Sequence, residues 1–360
     1  MQDIIGELPD CTNIDFLTRF NTKSYDVLIQ AIGFETRTVA FAEKLSNLPS
    51  FKVKETILIK YMTNIEDNLF FEEKILSFLE KFSTSISFFN SEDDFTVAFN
   101  QKIVSLRQSE PLNILMDISS FSSGMTLSLM RILLFSKNNL FILYTEGLVY
   151  HPTESEYEKI QQENSDDHAL YQTKGIEKVK ISFEYSGGTK ENQDLVISFP
   201  SFRSERTESI IAYIDELILK QQERKRIIWV IGEPNMEDGK KERRMEIQKK
   251  LNGIKPEDKT YSISTLDYKK TLLTLDHIYN EEYTKYHINI SDLGSKMQTL
   301  GIALFANLRR DVSVFYAEPK KYNPLHYSEG IKNYWIIEFG STDKLLETLF
   351  KVDLILERIS

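Results

Sequence analysis

Short apolar runs alternate along the whole chain with longer stretches in which apolar residues recur every three or four positions. The runs near residues 26–32, 55–61, 85–89, 113–118, 140–145 and 178–185 have strand length and strand composition. Helical patterns fill the gaps. From Glu66 to Phe82, for example, Phe70, Ile75, Phe78 and Leu79 are spaced to make one apolar face. Such alternation predicts an α/β fold with a mostly parallel sheet and helices on both faces, and it is compatible with an antiparallel last strand. The final stretch, Thr342 to Ile359, predicts a C-terminal helix with Leu345, Leu346, Leu349 and Phe350 on its buried side.

The chain also matches itself. Sliding it by 172 positions sets Met125 on Met297, Ile118-Ser119 on Ile290-Ser291 and Ser123 on Ser295. Without a gap, the same offset sets Tyr144, Glu146, Tyr150 and Pro152 on Tyr316, Glu318, Tyr322 and Pro324. The shared pattern Tyr-x-Glu-x-x-x-Tyr-x-Pro is hard to produce by chance. Upstream, Thr56-Ile57-Leu58-Ile59 falls on Ile228-Trp229-Val230-Ile231, and with a small drift Asp26-Val27-Leu28-Ile29 answers to Asp194-Leu195-Val196-Ile197. The expected architecture is therefore a tandem duplication of a six-strand Rossmann-like unit in a pseudo-two-fold arrangement. Residues 1–187 form the first repeat, and 188–360 the second repeat with the C-terminal helix. The segment from about 153 to 174, rich in Glu, Gln and Asp, has no counterpart in the second repeat and reads as an exposed insertion.

Composition narrows the classes. Hydrophobic residues make up 41% of the 360, enough for a sizeable core. No apolar run approaches the roughly 20 residues of a membrane span, and no signal peptide opens the chain, so a cytoplasmic protein is expected. Cys11 is the single cysteine, which excludes internal disulfides and cysteine-based zinc sites. A net charge of −10 argues against extensive non-specific nucleic-acid binding, while leaving room for a small anionic ligand in one pocket.

In parallel sheets of this type ligands bind outside the carboxyl ends of the strands, where helix N-termini and loop amides converge. The loops expected there are the ones that repeat. After the fourth strand come Asp117-Ile118-Ser119-Ser120-Phe121-Ser122-Ser123-Gly124-Met125 and Asn289-Ile290-Ser291-Asp292-Leu293-Gly294-Ser295-Lys296-Met297. Their small hydroxyl and glycine residues can offer donors to a phosphate or ribose, or can simply cap the next helix. Met125 and Met297 read as core. The loop expected after the fifth strand carries Glu146 with Tyr150, and Glu318 with Tyr322. Carboxylate and ring could bind a nucleoside, or could pack the loop onto the sheet. After the first strand come Glu35 with Arg37, and Glu205 with Arg206. Each arginine could capture an anion or sit in a structural ion pair.

The signatures GxGxxG, GxxxxGK[ST] and GxSxG are absent. The five histidines, His151, His168, His277, His287 and His326, form no metal-ligand pair at helical spacing, and neither metal nor cofactor is expected. His287 reads as a packed strand residue. His151 and His326, beside the repeated Tyr-x-Pro segments, are the candidates for general acid–base work.

The segment Asn289 to Met297 resembles the loop of CARF domains, Asp-x-Thr-Gly-Gly-Thr-Lys-x-Met before a helix, at the same place after the fourth strand. The glycine pair is reduced here to Leu293-Gly294, and the first repeat has Gly124 where the lysine belongs. The related SAVED domains look like two such units fused. The resemblance implies a sensor that binds a cyclic oligonucleotide between its halves in prokaryotic antiviral defence. Gly294, Ser295 and Lys296 would touch the ligand, with Ser122, Ser123 and Gly124 matching them by the offset. The expected function is a nucleotide sensor whose ligand-binding residues are Arg37, Ser119, Ser122, Ser123, Gly124, Glu146, Tyr150, Arg206, Ser291, Gly294, Ser295, Lys296, Glu318 and Tyr322, with an effector protein as partner. Two alternatives stand beside it. One is a metal-independent nucleotide-processing enzyme, a ring nuclease or glycosidase; the other is a non-catalytic interaction subunit of a defence complex.

Overall fold

The structure is a computed structural model, and it describes residues 5–20, 24–91, 95–107, 109–163, 172–187, 192–220 and 223–356. His168, most of the second half of the insertion, and residues 357–359 of the expected last helix lie outside the described residues.

The strands are β1 (Thr12–Asn13), β2 (Tyr25–Ile32), β3 (Val53–Lys60), β4 (Ser83–Asn90), β5 (Asn113–Asp117), β6 (Asn139–Tyr150), β7 (Thr173–Lys174), β8 (Lys178–Ser186), β9 (Gln193–Phe199), β10 (Ile227–Glu233), β11 (Thr260–Ser264), β12 (Tyr286–Asp292), β13 (Ser313–Glu318), β14 (Lys321–Tyr322) and β15 (Ser328–Ser341). Two large sheets form, in the orders β1-β15-β6-β5-β2-β3-β4 and β11-β10-β9-β12-β13-β8. Apart from the short edge strand β1, the second order is the first reversed, repeat position for repeat position. β2 to β6 and β9 to β13 pair in parallel, as central strands with continuous Val, Ile and Leu should.

The last strand of each repeat crosses over. β8, from the first repeat, pairs antiparallel with β13 in the second sheet. β15, from the second, pairs antiparallel with β6 in the first, from Ser328 opposite Tyr150 to Ser341 opposite Asn139. Each sheet is thus completed by the other repeat. This exchange lets β6 run on through Glu146 to Tyr150, where a loop was expected from the sequence. Glu318 ends β13, and Tyr322 lies in β14, which pairs with β7 of the first repeat.

The helices Ser123–Leu134 and Lys296–Leu308, counterparts in the two repeats, pack against each other. Ser123 Oγ lies 3.4 Å from Thr299 Oγ1, and Arg131 donates to Asn307 Oδ1 at 2.5 Å. One continuous core runs through this pair into both sheets, and Met125 and Met297 belong to it. From Met297 to Leu308 the second helix is buried on every side, as a helix apolar all round must be. Leu345 and Leu349 of the last helix are buried, with Leu346 and Phe350 packed beside them. On the helix Ile65–Leu79 the buried stripe is Asn68, Ile75 and Leu79, with Phe71 against the core. Phe70, expected on that face, points to solvent, because its register falls off the 68–71–75–79 row. The insertion is less exposed than its composition suggests: its first part forms the helix Glu154–Glu163, on which Tyr157 is buried.

Candidate functional site

A cavity of about 490 Å3 opens where the carboxyl ends of β9, β10, β11 and β12 meet residues of the first repeat. That volume suits a drug-sized or nucleotide-sized molecule. Of the residues picked out by sequence, Arg37, Ser122, Ser123, Glu146, Tyr150, Arg206, Gly294, Ser295, Lys296, Glu318 and Tyr322 line it. Ser119, Gly124 and Ser291 do not.

The reasons for those three are local. Ser119 is buried under the loop; its hydroxyl donates to Asp117 Oδ1 and accepts from the Thr145 N–H at 2.8 Å. Burial pushes the Asp117 carboxyl up to about 7, against the pull of the Ser119 hydrogen bonds. Ser291 is fully buried on β12. Gly124 faces Tyr316, and a Cβ there would lie 2.5 Å from a ring carbon of that tyrosine.

The two arginines occupy equivalent places. Arg37 donates to the carbonyl of Thr145 at 3.1 Å, and Arg206 to the carbonyl of Ala317 at 2.6 Å, positions that are themselves 172 residues apart. Their charges are not equally compensated. Arg37 is clasped by Glu35 through two hydrogen bonds of 3.0 and 2.7 Å and is almost fully buried. In the second repeat the extra loop residue sends Glu205 to Arg203 instead. Arg206 Nε is left buried with no hydrogen-bond partner among the described residues.

The serines of both loops do cap helices. Ser122 Oγ accepts from the Met125 N–H, and Ser295 Oγ from that of Gln298, whose side chain reaches back to Ser295 N–H at 2.9 Å. In the second repeat this leaves Lys296 in the first turn, where the helix dipole and desolvation both oppose a positive charge. Burial, with Arg37 adding to it, lowers the Lys296 ammonium to about 8. Burial raises neighbouring Asp292 to about 6. Lys296 is half-buried, with the Glu35 and Asp292 carboxylates near enough to act on its charge, and Gln298 Nε2 is buried with no hydrogen-bond partner among the described residues.

The repeats therefore differ at the site. On the first side Phe34 stacks on Tyr322 at 4.9 Å and meets Tyr327 edge-on at 5.2 Å, filling the space. On the second side Phe202, the counterpart of Phe34, carries the Arg244 guanidinium, 4.2 Å from its ring centre. The cavity lies on that open side.

No family model matches the chain, and no curated protein matches it. Solved structures that bear a weak likeness include the following three. A type III CRISPR defence DNA nuclease activated by cyclic oligoadenylate aligns over 81% of this chain at 9% identity, with a TM-score of 0.47; the chain spans 65% of that structure's length. The cytoplasmic domain of a prokaryotic cation chloride cotransporter aligns over 84% of this chain and 99% of its own, at 11% identity and a TM-score of 0.25. The N-terminal domain of Candida albicans trehalose-6-phosphate phosphatase aligns over 80% and 89%, at 12% identity and a TM-score of 0.20. Similarity at this level assigns no family. No helix among the described residues is long and apolar enough to cross a membrane.

Three further lining residues already have structural partners. Glu146 accepts from Asn235, Asn333 and Trp335 at 2.9–3.0 Å. Tyr150 OH accepts from the Gly147 N–H at 2.8 Å and lies 3.0 Å from Tyr144 OH. Glu318 pairs with Lys180 at 3.0 Å at the rim. Lys240, Arg244, Gln172 and Tyr327 also line the cavity and were not among the expected ligand-binding residues. Arg244 belongs to a basic cluster visible in the sequence, but only its docking onto the carbonyl of Pro152, at 2.8 Å, turns it toward the cavity.

Proposed function

We propose that the cavity binds an anionic, nucleotide-type ligand, and that the chain acts as a CARF/SAVED-like sensor signalling to a separate effector protein in antiviral defence. The carrying observation is the pair of cations on the open side, Lys296 at a helix N-terminus and Arg206 with its buried, unpaired Nε. Half-buried cations outside any ion pair are costly, and a phosphate entering the cavity would compensate both. Phe202, Tyr150, Tyr322 and Tyr327 supply ring faces for a base. The loop's resemblance to CARF domains supports a cyclic oligonucleotide as the ligand and defence as the setting.

Thermal-shift measurements with cyclic and linear oligoadenylates, mononucleotides and NAD test this. A ligand of the folded state at a hundredfold excess over its Kd adds about 2.7 kcal/mol of stability. Arg206→Ala and Lys296→Ala should each weaken binding of the responding ligand by about tenfold or more. Silence across the whole panel, or wild-type affinity in both variants, would sink the proposal.

A second reading, turnover of the bound nucleotide, is favoured by one observation: Lys296 near 8 and Asp292 near 6 both lie within reach of neutrality, where general acids and bases work. Chromatography of the ligand after incubation separates sensing from turnover.

A further inference from the structure

Away from the cations of the cavity, the chain brings together two histidines that the sequence keeps 175 positions apart. His151 follows β6 and His326 ends the short turn Pro324–His326. Both direct Nδ1 at one carboxylate, that of Glu156 on the helix Glu154–Glu163, each at 2.8 Å. The rings meet edge to face with centroids 5.3 Å apart. One ligand atom from each of the three residues falls within 4.8 Å of the others. His151 is 5% exposed, and the Glu156 and His326 side chains 13% and 24%.

His151 has a carboxylate at each ring nitrogen, Glu156 at Nδ1 and the largely exposed Glu329 Oε1 at Nε2, 3.2 Å away. A neutral imidazole has one N–H and can donate to one of them at a time. Glu156 is itself held in place by the Thr153 N–H and hydroxyl, which donate to it. We propose that these residues form a site for a divalent transition metal, zinc by preference, with His151 Nδ1, His326 Nδ1 and Glu156 as ligands. The ion takes the place of the two Nδ1 protons, and His151 is left with one N–H, on Nε2, which donates to Glu329. That carboxylate–histidine–metal arrangement is the usual support of a ligating histidine. The set of two imidazoles and one carboxylate suits zinc, with a water to complete four ligands. Bonds of about 2.0–2.1 Å require ligand atoms roughly 3.4 Å apart, within small side-chain adjustments of the observed spacing. His151 and Glu156 come from the first repeat and His326 from the second. The ion would thus fasten the repeats together between Tyr150 and Tyr327, which line the cavity.

Titration of the chelator-treated full chain with Co2+, followed by visible absorption, tests the site apart from any nucleotide. One equivalent should bind, with the bands of a low-coordinate nitrogen–oxygen site, and Zn2+ should displace it. His326→Asn should abolish uptake. Glu329→Gln, which alters no ligand, should keep the stoichiometry and weaken affinity by about 10–100-fold. The proposal is overturned if the folded wild-type chain takes up no Co2+ or Zn2+. It is equally overturned if Glu329→Gln leaves affinity unchanged, or if a folded His326→Asn chain binds as the wild type does.

Discussion

At the scale of single residues, the repeats have diverged most where chemistry is possible. Gly124 and Lys296 occupy the same position of the duplicated loop, and Tyr316 fills the space beside the glycine. The lysine is held near a pKa of 8, mainly by desolvation. The unfolded chain keeps that proton up to the ordinary lysine value, so between pH 8 and about 10.5 the unfolded state binds more protons. Stability contributed by this group therefore rises with pH across that window, and below it the buried charge is a cost. Urea denaturation should find Lys296→Met more stable than the wild type at pH 7, with the difference shrinking by pH 10. A pH-independent difference would contradict this. Binding of an anionic ligand should run the opposite way and weaken as pH rises through about 8. Isothermal titration of wild type and Lys296→Met would show the dependence in the first and its loss in the second. The lysine itself was legible in the sequence. The unpaired Nε of Arg206 beside it was not, because that depends on Glu205 turning to Arg203, where the loop has one inserted residue.

Secondary-structure elements were legible in proportion to how local their causes are. The strands and the C-terminal helix follow from apolar period and length, and they appear within a few residues of the expected bounds. β6 is the exception. Its extension through Glu146 to Tyr150 exists because β15 pairs along its whole length, a partner almost two hundred residues away. For the same reason Glu146, expected in a loop, is locked by Asn333 and Trp335 of β15, and Asn235 beyond β10 adds a third donor. The central helices show how closely elements approach. Lys296–Leu308 lies so near Tyr268–Glu282 that a Cβ on Gly301 would sit 2.6 Å from the Tyr268 carbonyl oxygen and 2.7 Å from Thr271 Cβ. Backbone cannot step aside as a side-chain tip can. Gly301→Ala should lower stability by about 1–3 kcal/mol, read from urea or thermal unfolding, and a neutral effect would mean the helices can separate freely.

At the scale of the molecule the exchange of last strands makes the repeats interdependent. A chain of residues 1–187 has β8 without its partner and β6 with an open edge, a template for aggregation. We expect 1–187 to be insoluble alone and to recover as a soluble pair when co-expressed with 188–360, judged by size-exclusion chromatography. A soluble, cooperatively folded 1–187 would show that β15 is dispensable. Duplication, fold class and the repeated loops were written in the sequence, because periodicity, strand composition and self-similarity are properties of neighbouring residues and of fixed offsets. Which repeat completes which sheet, which half of the site stays open, and that His151 meets His326 over Glu156 were decided by tertiary structure. Those outcomes depend on distances between residues far apart in the chain, and on small asymmetries such as Gly124 against Lys296, or Phe34 stacked on tyrosines where Phe202 meets a guanidinium. Packing resolves such differences through space, where spacing along the chain carries no signal.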